Sequence, residues 1–133
     1  MQVRVDFPAG MSFFEGTNSC RLEQFAKEAC AVLLESCGNP DEKLLLGVVA
    51  RFCPEFSLAL TQEERNVLGL GAGEDAQVFC RMVIPQEDPS LAGFDLERLV
   101  IVNVRAGLGL EKNVPGQPAV PMLKKNRKHA PAR

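Results

Sequence analysis

Polar and apolar residues alternate from the start of the chain: Val3, Val5 and Phe7 fall between Gln2, Arg4 and Asp6. A period of two is what a strand with one buried face requires. Pro8-Ala9-Gly10 ends that strand, because proline has no N–H for a ladder and glycine tolerates a turn. Residues 21–37 carry a double pattern. Leu22, Phe25, Ala26, Ala29, Cys30 and Leu33 recur at i, i+3, i+4 spacing, which favours an amphipathic helix. The same stretch also accommodates two strands, with Ala31–Leu34 a short buried one. Gly38-Asn39-Pro40-Asp41 marks a turn, and Leu44–Val49 follows as a buried strand despite its glycine. Phe56, Leu58 and Leu60 alternate with Ser57, Ala59 and Thr61, predicting another strand. Thr61-Gln62-Glu63-Glu64 has capping-box spacing, so a short helix should run to about Leu68 and stop at Gly69. Gln77–Ile84 and Leu99–Val104 are strands rich in β-branched residues, with Pro85–Pro89 a loop between them. Beyond Val114, Pro115, Gly116, Pro118 and Pro121 weaken any strand.

The pattern predicts five to seven short strands and one or two short helices. The fold class is therefore mainly β: a small antiparallel β-barrel-like or sandwich domain. A length of 133 residues fits one domain, placed at 1–123, with 124–133 a basic, disordered tail. No apolar run reaches the roughly 18 residues of a membrane-spanning helix. The N-terminus lacks the apolar core of a signal peptide, which places the protein in the cytoplasm.

Charge divides the chain. Formal net charge is −2, yet Lys124, Lys125, Arg127, Lys128 and Arg133 lie in the last ten residues with no acid among them, leaving −7 on residues 1–123. An acidic body repels nucleic acid and favours basic partners. The tail supports the alternative of a small nucleic-acid-binding barrel, although a solvated terminus explains it as well.

Candidate chemistry is sparse. Cys20, Cys30, Cys37, Cys53 and Cys80 are odd in number and never closely paired, so they read as reduced, buried or half-buried thiols rather than metal ligands. The one histidine, His129, lies in the tail, away from any nucleophile it could activate. The acid pairs Glu63/Glu64, Glu74/Asp75, Glu87/Asp88 and Asp95/Glu97 lie in loops or at a helix start, where solvated carboxylates are expected. Gly69-Leu70-Gly71-Ala72-Gly73 follows a helix and precedes acids, the reverse of a phosphate-binding loop, and reads as a flexible connection. Without Trp or Tyr, base stacking would rest on phenylalanine alone, and Phe13, Phe14, Phe52 and Phe56 read as core. No catalytic residue, cofactor or metal site is expected.

A family pattern accompanies these elements. Phe7-Pro8-Ala9-Gly10-Met11-Ser12-Phe13-Phe14-Glu15 resembles the F-P-x-G-L-x-x-F-E opening of the flagellar assembly factor FliW family. Pro54–Leu60, Thr61–Glu64 and Leu68-Gly69-Leu70 are similar to its P-x-Y-x-x-x-L-S stretch and following L-G-L. Val83-Ile84-Pro85 with Glu87-Asp88-Pro89 resembles V-P-E-D-P, and Asp95-Leu96 with Leu99–Asn103 resembles N-L-x-x-P-I-V-I-N. The order is kept across residues 5–114. Asp95 stands for the family asparagine, Glu97-Arg98 for Leu-Ala and Leu99 for proline.

The resemblance implies a cytoplasmic, non-enzymatic, barrel-like protein that binds flagellin and antagonises the translational regulator CsrA by partner switching. It implies strand rather than helix over residues 29–36. An acidic body suits CsrA, an RNA-binding protein with basic surface. The candidate partner surface is Phe14, Glu55, Phe56, Glu63 and Glu64, with Asn103 at a matched strand end.

Overall fold

The computed structural model describes residues 2–14, 17–24, 30–39, 41–117 and 120–121. Strands β1 (Gln2–Asp6), β2 (Ser19–Gln24), β3 (Ala31–Ser36) and β4 (Lys43–Val48) form an antiparallel meander. A crossover carrying the one-turn helix α1 (Val49–Phe52) and α2 (Gln62–Val67) leads to β5 (Gln77–Val83). Next come β6 (Gly93–Asn103), β7 (Leu108–Asn113) and the two-residue β8 (Val120–Pro121), which pairs with the start of β6. The β5–β6 pairing closes β1–β7 into a seven-stranded barrel. In a meander of odd strand number the first and last strands run the same way, so the closing pair must be parallel. That seam is a single register pair, Asp6–Leu108, reinforced by the Asp6 N–H donating to the Gly107 carbonyl at 2.9 Å.

The mainly β fold expected from the sequence is the fold observed. Val5, Cys20, Leu22, Val32, Leu34 and Leu46 alternate inward and, with Phe7, Phe14 and Phe79, fill the barrel. Outward on β1 and β2 the alternate positions are charged or polar, β3 adds Ala31 and Leu33 beside Glu35, and the pairs Arg4–Asp6 (3.3 Å) and Arg21–Glu35 (2.8 Å) lie across that face.

The other side of the barrel has a second apolar layer. Cys80, Phe94, Leu96 and Leu99 face outward and are covered by α1 and the chain after it, with the Phe52 and Phe94 rings stacked at 3.9 Å. Ile101 and Leu110 are covered by Leu68 and Leu70 at the end of α2. Strand β6 serves both layers by a bulge. Its register on β5 jumps from Leu99–Cys80 to Asp95–Arg81, leaving Leu96, Glu97 and Arg98 without partners on β5. The Asp95 carboxylate accepts from the Glu97 N–H at 2.9 Å, a bond an asparagine oxygen makes equally well, which accounts for the exchange at this motif position. Glu97 in turn holds the segment just after residue 113, its carbonyl accepting from Val114 N–H and its carboxylate from Gly116 N–H.

Several expectations need correction. The helical spacing over residues 21–37 is overruled: 19–24 and 31–36 are strands, while Phe25, Ala26 and Ala29 lie outside the described residues. Phe56–Leu60 keeps its alternating burial but joins no ladder, because it crosses the outside of a closed barrel whose strands are already paired. Cys30 is exposed rather than buried or half-buried. The glycine-rich stretch is tied down rather than loose, since Arg65 donates to the Gly71 and Glu74 carbonyls and Glu74 accepts from Gly71 N–H. The tail, with His129, lies outside the described residues. Among the described residues no helix is long and apolar enough to cross a membrane.

Candidate functional site

The crossover between β4 and β5, residues 49–76, is the one long excursion from the meander, and it carries most of the candidate surface. It holds five acids (Glu55, Glu63, Glu64, Glu74, Asp75) against Arg51 and Arg65, a net of −3. Sequence dictates its anchoring. Thr61 and Glu64 form the expected capping box, the Thr61 hydroxyl accepting from Glu64 N–H (3.1 Å) and the Glu64 carboxylate from Thr61 N–H (2.9 Å). Leu68 closes α2 with Gly69 at φ +66°, a conformation that favours glycine.

Two ion pairs fasten this excursion to the barrel. Lys112 of β7 reaches Glu64 at 2.6 Å, and Arg105 of the β6–β7 turn reaches Glu74 at 2.9 Å. Both acids titrate below the ordinary glutamate value. Glu64 pays a desolvation penalty that raises its pKa, but the Lys112 ammonium and Thr61 N–H outweigh it. For Glu74 the Gly71 N–H and then Arg105 lower the pKa. The stability these carboxylates contribute is present above the ordinary value of 4.5 and is lost as pH falls through the lower folded values. Replacing Glu64 with Gln is expected to flatten the acid limb of a stability–pH curve measured by urea unfolding. An unchanged limb would show that the Lys112 contact contributes nothing.

Glu64 and Glu74 therefore have structural work, and the acids left to face solvent are Glu55, Glu63 and Asp75. Glu55 also accepts from the Cys53 thiol at 3.3 Å. Between them runs the strip Phe56-Leu58-Leu60, half-buried at each apolar position. A cleft of about 390 Å³ opens beside it, walled by Val49, Arg51, Phe56, Leu58, Val78 and Phe79. A second hollow of about 250 Å³ follows along Leu58, Leu60, Arg65, Asp75 and Val78. This is an apolar strip with clefts beside it, bordered by carboxylates, and it is suited to contact with a basic protein surface.

The remaining candidates lie elsewhere. Phe14 is buried at 6% exposure in the barrel core. Asn103 is 4% exposed, and its Nδ2 donates to the Leu68 carbonyl at 2.8 Å and Gly69 at 3.4 Å while its Oδ1 accepts from Ala106 N–H. Asn103 thus pins the end of α2 to the β6–β7 turn. The structure brings together Glu55, Phe56, Glu63 and Glu64 on the crossover but neither Phe14 nor Asn103 with them. Asp75 joins the set through its exposure, the solvated state expected of it, although the sequence did not place it in the candidate surface. Replacing Asn103 with Leu should cost about 1–3 kcal/mol by stranding the Leu68 carbonyl, while Arg105 still donates to Gly69, read as a lower urea midpoint. A midpoint unchanged from wild type would remove that role.

Burial pushes the Cys20 and Cys80 thiols up to about 12, so neither supplies a thiolate near neutral pH. Among the described residues no group of three or more Cys, His, Asp or Glu is placed to hold a metal ion.

The profile of the FliW protein family matches residues 2–112. The chain is 28% identical over 109 residues to the "Flagellar assembly factor FliW" of Desulfovibrio desulfuricans, covering 80% of this chain and 66% of that protein. It is 26% identical over 107 residues to the protein of the same name from Nitratidesulfovibrio vulgaris, covering 80% and 62%. The chain therefore spans less than two thirds of the length of these relatives. Its fold is similar to a crystal structure of the flagellar assembly factor FliW, with TM-score 0.71 at 18% identity over 89% of this chain and 82% of that one.

Proposed function

Because the chain belongs to the FliW family, we propose that it binds flagellin and antagonises CsrA, switching between the two as flagellin is exported. The observation that carries this reading is the family match over residues 2–112, which spans the barrel from β1 into β7 and the whole crossover. In this reading the protein acts in the cytoplasm and by contact alone. Residues 1–123 form the binding domain, and residues 124–133 are a basic extension outside it.

The crossover supports the CsrA half. Glu55, Glu63 and Asp75 face solvent around Phe56, on a body that carries −7 over residues 1–123. A basic protein is drawn to such a face from a distance, and a half-buried aromatic with a cleft beside it gives the contact an apolar centre. Glu64 supports the surface from beneath by holding α2.

The test is co-purification of the full chain with flagellin and, separately, with CsrA. Stable binding of each supports the reading, and binding of neither overturns it.

A further inference from the structure

Only three residue pairs join β4 to β5: Val48–Phe79, Gly47–Cys80 and Leu46–Arg81. The β2–β3 and β3–β4 seams have five each. The short seam follows from the connection, since a crossover of residues 49–76 imposes no hairpin register on the strands it joins. Past Leu46 and Arg81, at the end of the seam opposite the crossover, the strands separate. A groove of about 410 Å³ opens there, with Leu33, Lys43, Leu45, Arg81, Met82 and Ile84 among its walls.

Three features of this groove point to a protein segment. The first is apolar exposure. The large hydrophobic residues exposed among the described ones are Leu45 (38%), Val83 (44%), Ile84 (53%) and Leu91 (68%). Leu45 and Ile84 wall the groove, Val83 adjoins Ile84, and Leu91 sits two residues before Gly93, the β6 partner of Val83. Apolar residues gathered in this way mark an interaction surface. The second is charge. Lys43 and Arg81 are the ionisable groups in the wall, and among the described residues neither belongs to an ion pair. The third is backbone. Val48 N–H donates to the Cys30 carbonyl on the β3 side, so by strand alternation Gly47 and Leu45 aim their N–H and C=O toward β5. Leu45 has no register partner there.

We propose that this splayed seam docks a protein segment that presents apolar side chains flanked by carboxylates. A second copy of this chain would set one acidic body against another, and a basic regulator would be repelled by Lys43 and Arg81. Flagellin is then the partner that supplies the segment, and to that extent the inference rests on the function proposed above. The backbone edge at Leu45 allows the segment to add main-chain hydrogen bonds to its side-chain contacts.

The experiment measures flagellin and CsrA affinities of the full chain by calorimetry for wild type, Leu45→Ser/Ile84→Ser and Lys43→Glu/Arg81→Glu. Thermal unfolding of each variant verifies the fold. Both variants should bind flagellin at least tenfold more weakly, with CsrA binding within twofold of wild type. Flagellin affinity equal to wild type in folded variants overturns this inference and leaves the functional reading standing. If wild type binds neither protein, the functional reading itself fails. A concentration-dependent dimer in sedimentation that Leu45→Ser/Ile84→Ser abolishes also overturns the inference, because the occupant is then a second copy.

Discussion

Replacing Phe7 with alanine is expected to lower the unfolding free energy by about 3–5 kcal/mol, a large share of the roughly 5–15 kcal/mol that holds a domain together. Phe7 is fully buried in the barrel core, directly after β1, and its ring lies against Gly109 of β7. A Cβ at position 109 would fall 2.7 Å from two ring carbons of Phe7 and 2.7 Å from Cγ1 of Val5. β7 therefore comes so close to β1 at the parallel seam that only a residue without a side chain fits, and the ring fills what is left. A coupling follows. Gly109→Ala alone should cost about 1–3 kcal/mol through overpacking, and the part due to the ring should vanish in a Phe7→Leu background, while the contact with Val5 remains. Urea unfolding of the two single variants and the double one gives the coupling, expected at about 1 kcal/mol or more. Additive single effects would mean that the closure of the barrel does not depend on this contact.

The second large effect concerns binding. Glu55→Lys combined with Glu63→Lys reverses two of the three carboxylates that face solvent on the crossover and leaves the capping and ion-pairing work of Glu64 intact. Association with CsrA should slow by about tenfold or more at low ionic strength. The difference should shrink as salt rises past about 0.15 M, where charges are screened over about 8 Å. Dissociation and thermal stability should change little, because both positions are exposed. Stopped-flow association rates across a salt series measure this directly. Rates equal to wild type at every salt concentration would place the CsrA contact elsewhere.

How far the molecule could be foreseen depends on what each segment's pattern encodes. β1, β5 and the capping box at Thr61 were legible because their signals are local: alternation, β-branching, and a hydroxyl three residues before a glutamate. β2 was hidden by coincidence. Cys20 and Leu22 alternate inward as a strand requires, but Leu22, Cys30 and Leu33 also stand at helical spacing, and only the family resemblance favoured strands farther along. β7 was missed because it lacks β-branched residues and carries Gly109, whose reason lies 102 positions away at Phe7. The opposite error came at Phe56–Leu60, where true alternation reflects a strip pressed on the outside of a closed barrel rather than a strand within it. For the candidate surface, residue type indicated acids around an aromatic. Residue type marked Glu64 as a capping partner and Asp75 as a solvated acid, but it could not show that Lys112 ties Glu64 to β7 or that Asn103 pins the end of α2. The groove at the β4–β5 seam was beyond reach altogether, since it exists only because two strands distant in sequence part after three pairs.

In the proposed reading, CsrA on the crossover and flagellin in the groove would sit at the two ends of the β4–β5 seam, and on a barrel this small two such partners would crowd each other. The most direct test is a displacement titration with the full chain bound to fluorescently labelled CsrA and flagellin monomer added. The account predicts release of CsrA with a stoichiometry of one flagellin per barrel. A stable ternary complex, or CsrA that stays bound at saturating flagellin, would contradict it.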